Sequence, residues 1–127
     1  MSNTKLLSPF VAGYLKCLLW SSTDESTPSG GDPLDKNYDL TDIAPESVTK
    51  AVAECQAFQA ANAHLLDVCG LPEESQGHYF WLNRNGHGTG FWDSCTEEEV
   101  GQLLSDACAP LGERNAYIGD DGQIHIG

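Results

Sequence analysis

The stretch from residue 78 to residue 93, HYFWLNRNGHGTGFWD, constrains the fold most, because aromatic, glycine and polar side chains are densest there. Asn85-Gly86 is a residue pair that two-residue type I′ turns prefer, since both central positions of that turn need a positive φ. The stretch therefore predicts a β-hairpin that turns at Asn85-Gly86. A three-residue loop that also includes Arg84 would shift the strand register by one residue.

The tip of this hairpin is the candidate functional site. With the two-residue loop, Arg84 lies opposite His87, and Trp81 lies opposite Gly90. Arg84 would clamp an anion, and His87 would act as an acid, a base or a hydrogen-bond donor. Trp81 and Trp92 would form a stacking wall. The alternative is a polar turn that only covers a packed aromatic cluster. The candidate ligand- or partner-binding residues are Trp81, Arg84, Asn85, His87, Trp92 and Asp93.

Apolar periodicity predicts two helices before this stretch. Ser8-Pro9 marks the start of the first, which we expect to end near Trp20. Gly13 either weakens this helix or lets a neighbouring element approach closely. The second helix spans about residues 45 to 68, and Gly70 is placed to end it.

A third helix and a second hairpin complete the predicted fold. Thr96 as N-cap and Glu99 in the capping-box position predict the helix start. A type I turn at Asp120-Asp121 with Gly122 as a bulge would pair Ile118 with Ile124 and keep one face apolar. The predicted order is helix, helix, strand, strand, helix, strand, strand. We expect a single α+β domain with a four-stranded, mainly antiparallel sheet packed on helices.

The charge balance is strongly acidic, with 19 acidic and 6 basic residues and a net charge of −13. From residue 65 onward, only Arg84 and Arg114 oppose the acidic side chains. Such a surface repels phosphate, so we expect no direct nucleic-acid binding and no binding to anionic membranes. It suits a basic partner, although the same charge also serves plain solubility.

Residues 21–41 form the predicted acidic loop, which is unusually long for a compact domain. Its carboxylates could supply oxygens to calcium, but they do not have the spacing of a calcium-binding loop and no glycine stands at the required turn position. We expect a solvated acidic loop, and calcium binding stays open as the alternative. The chain has five cysteines, which is an odd number, and no C-x-x-C pair. We therefore expect free, buried thiols in a reducing compartment, no disulfide framework and no zinc site.

Catalytic and cofactor motifs are missing from the sequence. Gly86, Gly88 and Gly90 do not link a strand to a helix, so they are not a nucleotide-binding fingerprint. No serine stands in a G-x-S-x-G elbow. A nucleophile pair of Cys95 with His78 or His87 lacks any family-specific flank. We predict no cofactor and no bound metal.

The run FWLNRNGHGTGFWD resembles a segment of small, largely uncharacterised bacteriophage proteins with the signature F-W-L-x-R-N-G-H-G-x-G-F-W-D. LWSSTDE, DPLDKNYDLTDIAPE and YIGDDGQIHI are also similar to that group, so the resemblance covers most of the chain in pieces. Asn83 and Thr89 stand at its variable positions. No catalytic residue can be carried over from it.

The resemblance implies a phage-encoded protein of the host cytoplasm that is made during infection. Together with the small size, the acidity and the missing catalytic motifs, it favours a non-enzymatic binding protein. Such a protein would engage a basic host protein in host takeover or anti-defence. The alternative is a small-ligand binder or an enzyme that uses Arg84, His87 and Asp93. The oligomeric state stays open.

Overall fold

The computed structural model describes residues 7–24, 32–36, 38–85 and 90–127, and helices dominate these ranges. The helices are α1 (Pro9–Ser21), α2 (Pro45–Ala61), α3 (Ala63–Cys69), α4 (Glu73–Arg84) and α5 (Glu98–Cys108). The strands form two separate antiparallel pairs, β1 (Thr23–Asp24) with β2 (Asp32–Pro33) and β3 (Ala116–Ile118) with β4 (Ile124–Ile126). The predicted four-stranded sheet is therefore wrong.

The central error concerns the predicted hairpin, because its first half is the helix α4. Gly77, Phe80, Trp81 and Arg84 are all buried, and their spacing of i, i+3, i+4 and i+7 is a helical stripe. Asn85 follows the helix with φ −101°, so it does not have the positive φ of a type I′ turn. The aromatic residues of this segment would also suit a strand by residue type, but the spacing of its buried residues is that of a helix.

α1 and α4 cross with their backbones in close contact. A Cβ atom added to Gly13 would collide with the carbonyl oxygen of Glu74, and one added to Gly77 would collide with that of Phe10. Two glycines at the crossing therefore let the helices approach more closely than side chains permit. Of the two roles considered for Gly13, the structure supports close approach.

Aromatic rings fill the core beside this crossing. Phe58 of α2 stacks on Phe80 of α4 with ring centres 4.2 Å apart. Tyr14 meets Trp81 edge to face at 5.2 Å, and Phe91 lies 5.9 Å from Phe58. All five rings are buried, so α1, α2, α4 and the turn at residue 91 share one aromatic core.

The predicted second helix is two helices, α2 and α3, separated at Asn62. The Asn62 side-chain amide donates to the carbonyl oxygen of Phe58 at 3.0 Å. The Asn62 backbone N–H donates to the same carbonyl oxygen at 3.0 Å, so the backbone and the side chain of Asn62 share one acceptor where α2 ends. Gly70, with φ 77°, follows α3 in the left-handed conformation, which confirms the predicted stop.

The start of α5 and the cysteine pairing differ from expectation. Thr96 is not the N-cap, because α5 begins at Glu98 and Glu97 precedes it as the cap residue. The Thr96 backbone N–H instead donates to the carbonyl oxygen of Cys69 at 3.1 Å.

Cys69 and Cys95 form a disulfide, so the expectation of five free thiols is wrong. The sequence does not reveal this pair, because its members are brought together only when α3 and α5 pack.

The C-terminal hairpin has the predicted register and turn. Ile118 pairs with Ile124, and Gly122 has φ 78°, as the bulged turn requires. The Ile124 carbonyl oxygen accepts from the Ala44 N–H at 2.8 Å, and the Ile126 N–H donates to the Ser47 hydroxyl at 3.0 Å. The hairpin is therefore fastened to the start of α2.

The described part of residues 21–41 is more regular than a loop. It contains β1, β2 and two 3-10 turns, Leu34–Lys36 and Leu40–Asp42. Residues 25–31 and 37 of the predicted acidic loop lie outside the described residues. Within the ranges that the structure describes, no helix combines the length and the apolar character needed to cross a membrane.

We predict that Gly77→Ala destabilises the protein by about 1–3 kcal/mol, because overpacking at the crossing exceeds the gain in helix propensity. Chemical denaturation of the variant and the wild type measures this difference. Ala53→Ser, at an exposed position of α2, is the matched control and should change the free energy of unfolding by less than about 0.5 kcal/mol. An unchanged stability of Gly77→Ala would contradict the close crossing.

We further predict that the freshly purified chain has one disulfide and three alkylatable thiols. Alkylation in denaturant without reductant, followed by intact-mass measurement, counts the thiols directly. Because the bond joins residues separated by 26 positions, Cys69→Ser should lower the stability of the oxidised protein by about 3–4 kcal/mol. Five alkylated thiols before reduction would show that the pair is not formed.

Candidate functional site

The predicted hairpin site is not assembled as expected. Trp81 is only 2% exposed, and its indole N–H donates to the Ser21 hydroxyl at 2.7 Å. Trp92 is 45% exposed. The two rings therefore do not form an exposed stacking wall. Gly90 packs against Asn83 and not against Trp81.

Arg84 is a buried anchor with 1% of its side chain exposed. Its guanidinium donates from Nε to the Gly112 carbonyl at 3.0 Å and from Nη2 to the Leu111 carbonyl at 3.1 Å. Nη1 donates to the Tyr14 hydroxyl at 3.2 Å and lies 3.5 Å from Glu54 Oε1. Its donors are thus directed at protein acceptors in α1, α2 and the turn after α5. Arg84 therefore joins elements from across the fold.

The other predicted site residues near Arg84 also make local structural contacts. The Asn85 side-chain oxygen accepts from the Arg114 N–H at 2.8 Å, and its amide donates to the Trp81 carbonyl. Asp93 Oδ1 accepts from the Gly90 N–H at 3.1 Å and from the Ser94 hydroxyl. His87 lies outside the described residues.

Asn83 is a structural residue that the sequence did not single out. Its Oδ1 accepts from the Phe91 N–H at 3.0 Å and from the Ser105 hydroxyl at 2.7 Å. It thus connects α4 to α5 and to the turn at residue 91. The resemblance treats this position as variable, and asparagine supplies the acceptor here.

Glu54 and Arg114 form an ion pair next to Arg84 that the sequence did not indicate. The Arg114 guanidinium donates to both Glu54 oxygens, with the shortest contact at 2.7 Å. Partial burial pushes the pKa of the Glu54 carboxyl upward, but hydrogen bonding to Arg114 and the charge of Arg84 outweigh it and lower the pKa. Glu54 therefore stays ionised and compensates two arginines. The one indication of this ion pair in the sequence was that Arg84 and Arg114 are the only basic residues after residue 65.

A pocket of about 450 Å³ lies beside this ion pair. Its walls are mainly small or apolar side chains, and Glu54 and Arg84 are its charged residues. The lining residues are Glu54, Ala57, Phe58, Ala61, Asn62, Arg84, Ala107 and Leu111.

A larger cavity of about 850 Å³, which we name the aromatic cleft, lies between α1, α4 and the segment around residues 35–40. Aromatic and carboxylate side chains share its walls. The lining residues are Gly13, Lys16, Cys17, Leu19, Trp20, Asp35, Tyr38, Asp39, Leu40, Pro72, Glu74, Ser75, His78 and Tyr79. None of the described residues in the predicted hairpin site, Trp81, Arg84, Asn85, Trp92 and Asp93, borders this cleft.

The aromatic wall of the cleft is built on α1 and α4. Trp20 is 58% exposed, the largest exposure among the large hydrophobic side chains that the structure describes. Its ring lies 5.8 Å from the ring of His78, and His78 meets Tyr79 edge to face at 5.3 Å. Neighbouring rings thus hold an exposed indole against the cleft.

The charged residues of the cleft are mainly acidic. Lys16 pairs with Glu74 at 2.9 Å, and both side chains are more than half exposed. Asp35 and Asp39 lie on the other wall. Hydrogen bonds from the Thr41 hydroxyl and backbone N–H lower the pKa of Asp39. Three carboxylates and one ammonium group therefore line the cleft.

A thiol and an imidazole also meet in the cleft, but they are not poised for nucleophilic chemistry. Cys17 Sγ lies 4.0 Å from His78 Nε2. Burial raises the pKa of the Cys17 thiol to about 12 and lowers the pKa of His78. Both groups are therefore neutral near pH 7, and reactive cysteines need the thiolate. Cys95, the other cysteine considered as a nucleophile, is held in the disulfide.

Comparison with known proteins adds no functional assignment. No protein-family model, no curated protein and no solved structure matches this chain. Within the described ranges, no group of three or more His, Cys, Asp or Glu side chains has the arrangement to hold a metal ion.

We predict that Arg84→Leu lowers the free energy of unfolding by about 3–5 kcal/mol, because buried acceptors lose their donor and a buried ion pair is broken. Urea denaturation measures the loss. Arg84→Lys keeps the charge without the forked donors, so it should be intermediate. Gln56→Leu, at an exposed position of α2, is the control. A loss below about 1 kcal/mol would contradict the anchoring role of Arg84.

Proposed function

We propose that this chain is a non-catalytic binding protein that takes up a basic segment of another protein in the aromatic cleft. The observation that carries the proposal is an exposed tryptophan, Trp20, beside Asp35, Asp39 and Glu74 in a cavity of about 850 Å³. Tryptophan combines a large contact area with a polar edge, and it is enriched in protein interfaces.

The charge of the whole chain supports a basic partner. A net charge of −13 generates a negative potential that attracts cationic surfaces and speeds their encounter. The same field repels phosphate backbones, so the proposal excludes direct binding to nucleic acid. Inside the cleft the carboxylates outnumber the single ammonium group of Lys16, and local and global charge therefore favour the same class of partner.

The resemblance to bacteriophage proteins supplies a biological setting for this proposal. In that setting the chain is made in the host cytoplasm during infection and engages a basic host protein. Examples would be a DNA-binding protein or a component of a defence system that has a basic surface. The role would then be host takeover or anti-defence.

A second candidate function is small-ligand binding in the pocket beside Arg84. The pocket has a volume of about 450 Å³ and mainly apolar walls, which fits a small molecule with an apolar body. The donors of Arg84 are already directed at Tyr14, Leu111, Gly112 and Glu54. The geometry therefore supports this candidate less well than the cleft.

Calorimetric titration with a lysine-rich peptide and a glutamate-rich peptide of equal length tests the proposed function. We expect binding of the basic peptide alone, with an affinity that falls as salt screens the charges. The double variant Asp35→Asn/Asp39→Asn should weaken binding by about two- to tenfold, since exposed ion pairs contribute modestly. Asparagine at position 39 keeps an oxygen that can accept from Thr41.

The matched control is the double variant Glu98→Gln/Glu99→Gln. It removes the same charge from α5, which contributes no residue to the aromatic cleft. We expect its affinity to stay within about twofold of the wild type, because distant exposed charges are screened. No binding of the basic peptide, or equal weakening by the two double variants, would refute docking in the cleft.

A further inference from the structure

We infer that the aromatic cleft selects arginine over lysine, with the guanidinium stacked on the indole of Trp20 and paired with a carboxylate of Asp35 or Asp39. This inference rests on the proposed function and specifies the side chain that the cleft recognises. It assigns to Trp20 the role of the main determinant of specificity.

Trp20 has the properties of a receptor for a planar cation. The residue is 58% exposed, and the centre of the tilted His78 ring lies 5.8 Å from the centre of its indole. The contact restrains the indole, so less side-chain entropy is lost when a ligand stacks on it. The face of tryptophan is the strongest cation acceptor among the aromatic side chains.

The electrostatic surroundings of Trp20 favour a positive charge. The residue lies in the last turn of α1, where the helix dipole is negative and where no basic side chain occurs. Burial keeps His78 neutral by lowering its pKa, so the ring that supports the indole does not repel a cation. Asp39 faces the same cleft, and its Oδ1 accepts from Thr41, which restrains the carboxylate.

Arginine fits these surroundings better than lysine for two physical reasons. A guanidinium is planar and weakly hydrated, so it stacks on an aromatic face at a smaller desolvation cost than an ammonium group. Its forked donors also pair with a carboxylate in a defined geometry. The aromatic cleft offers both an exposed ring and carboxylates on the opposite wall.

The ammonium group of Lys16 competes with a ligand cation for the carboxylates of the cleft. Lys16 stands four residues before Trp20 on α1, which places both side chains on one face of the helix. Its ammonium group lies 2.9 Å from Glu74 Oε1. Removing it frees a carboxylate and removes a repelling charge, so Lys16→Met should bind an arginine-rich peptide more tightly, by about two- to fivefold.

Titration of the wild-type chain with arginine-rich, lysine-rich and citrulline-containing peptides of equal length tests the inference. We expect arginine to bind about two- to fivefold more tightly than lysine, as a cation–π contact at an exposed site allows. Citrulline has a similar shape without the charge and should bind most weakly. Trp20→Leu should remove the preference for arginine, whereas Trp92→Leu, which alters a tryptophan outside the cleft, should keep it.

The outcomes separate this inference from the proposed function. Equal affinities for arginine and lysine in the wild type would overturn it, and so would a preference for arginine that survives Trp20→Leu in a variant with a native circular dichroism spectrum. In either case, weakening of the lysine-rich peptide by Asp35→Asn/Asp39→Asn would still support docking in the cleft. Failure of every basic peptide to bind would refute both.

Discussion

The close crossing of α1 and α4 is the contact on which the rest of the structure depends. Gly13 and Gly77 let the two backbones meet, and any larger residue at either position would collide with a carbonyl oxygen of the other helix. One side of the crossing carries Tyr14, Phe80 and the other core rings. The other side carries the aromatic cleft. A shift of these helices would disturb the core and the cleft together.

Arg84 is the second organising residue, and it shows how a polar motif can serve stability. A buried guanidinium is tolerated because its donors are directed at acceptors and Glu54 opposes its charge. The signature residues around it have structural partners as well: Asn85 contacts Arg114, and Asp93 accepts from Gly90. In the described part of residues 78–93, these polar groups make hydrogen bonds within the protein. From this stretch the aromatic cleft takes His78 and Tyr79, and its exposed indole, Trp20, comes from α1.

Short-range signals in the sequence predicted several local structures. Ser8-Pro9 starts α1, Gly70 follows α3 in the left-handed conformation, and the turn at residues 120–122 sets the register of the C-terminal hairpin. Each of these depends on a few neighbouring residues, so local stereochemistry suffices. The acidic charge, on which the proposed class of partner rests, is likewise a property of composition alone. The prediction of the site residues, by contrast, rested on a turn at Asn85-Gly86, and the first half of that predicted hairpin is the helix α4.

Tertiary structure decided what depends on distant residues. Phe80 and Trp81 suit a strand as well as a helix by residue type, but a strand would point these neighbours to opposite faces, and only the packed core shows that both are buried. Cys69 and Cys95 are 26 residues apart and pair only because α3 and α5 meet. The aromatic cleft combines α1, α4 and residues 35–40, so no single stretch of sequence contains it. The sequence alone determined the charge and the local stops and turns, because these need only composition or neighbouring residues, whereas packing over long distances created the aromatic cleft.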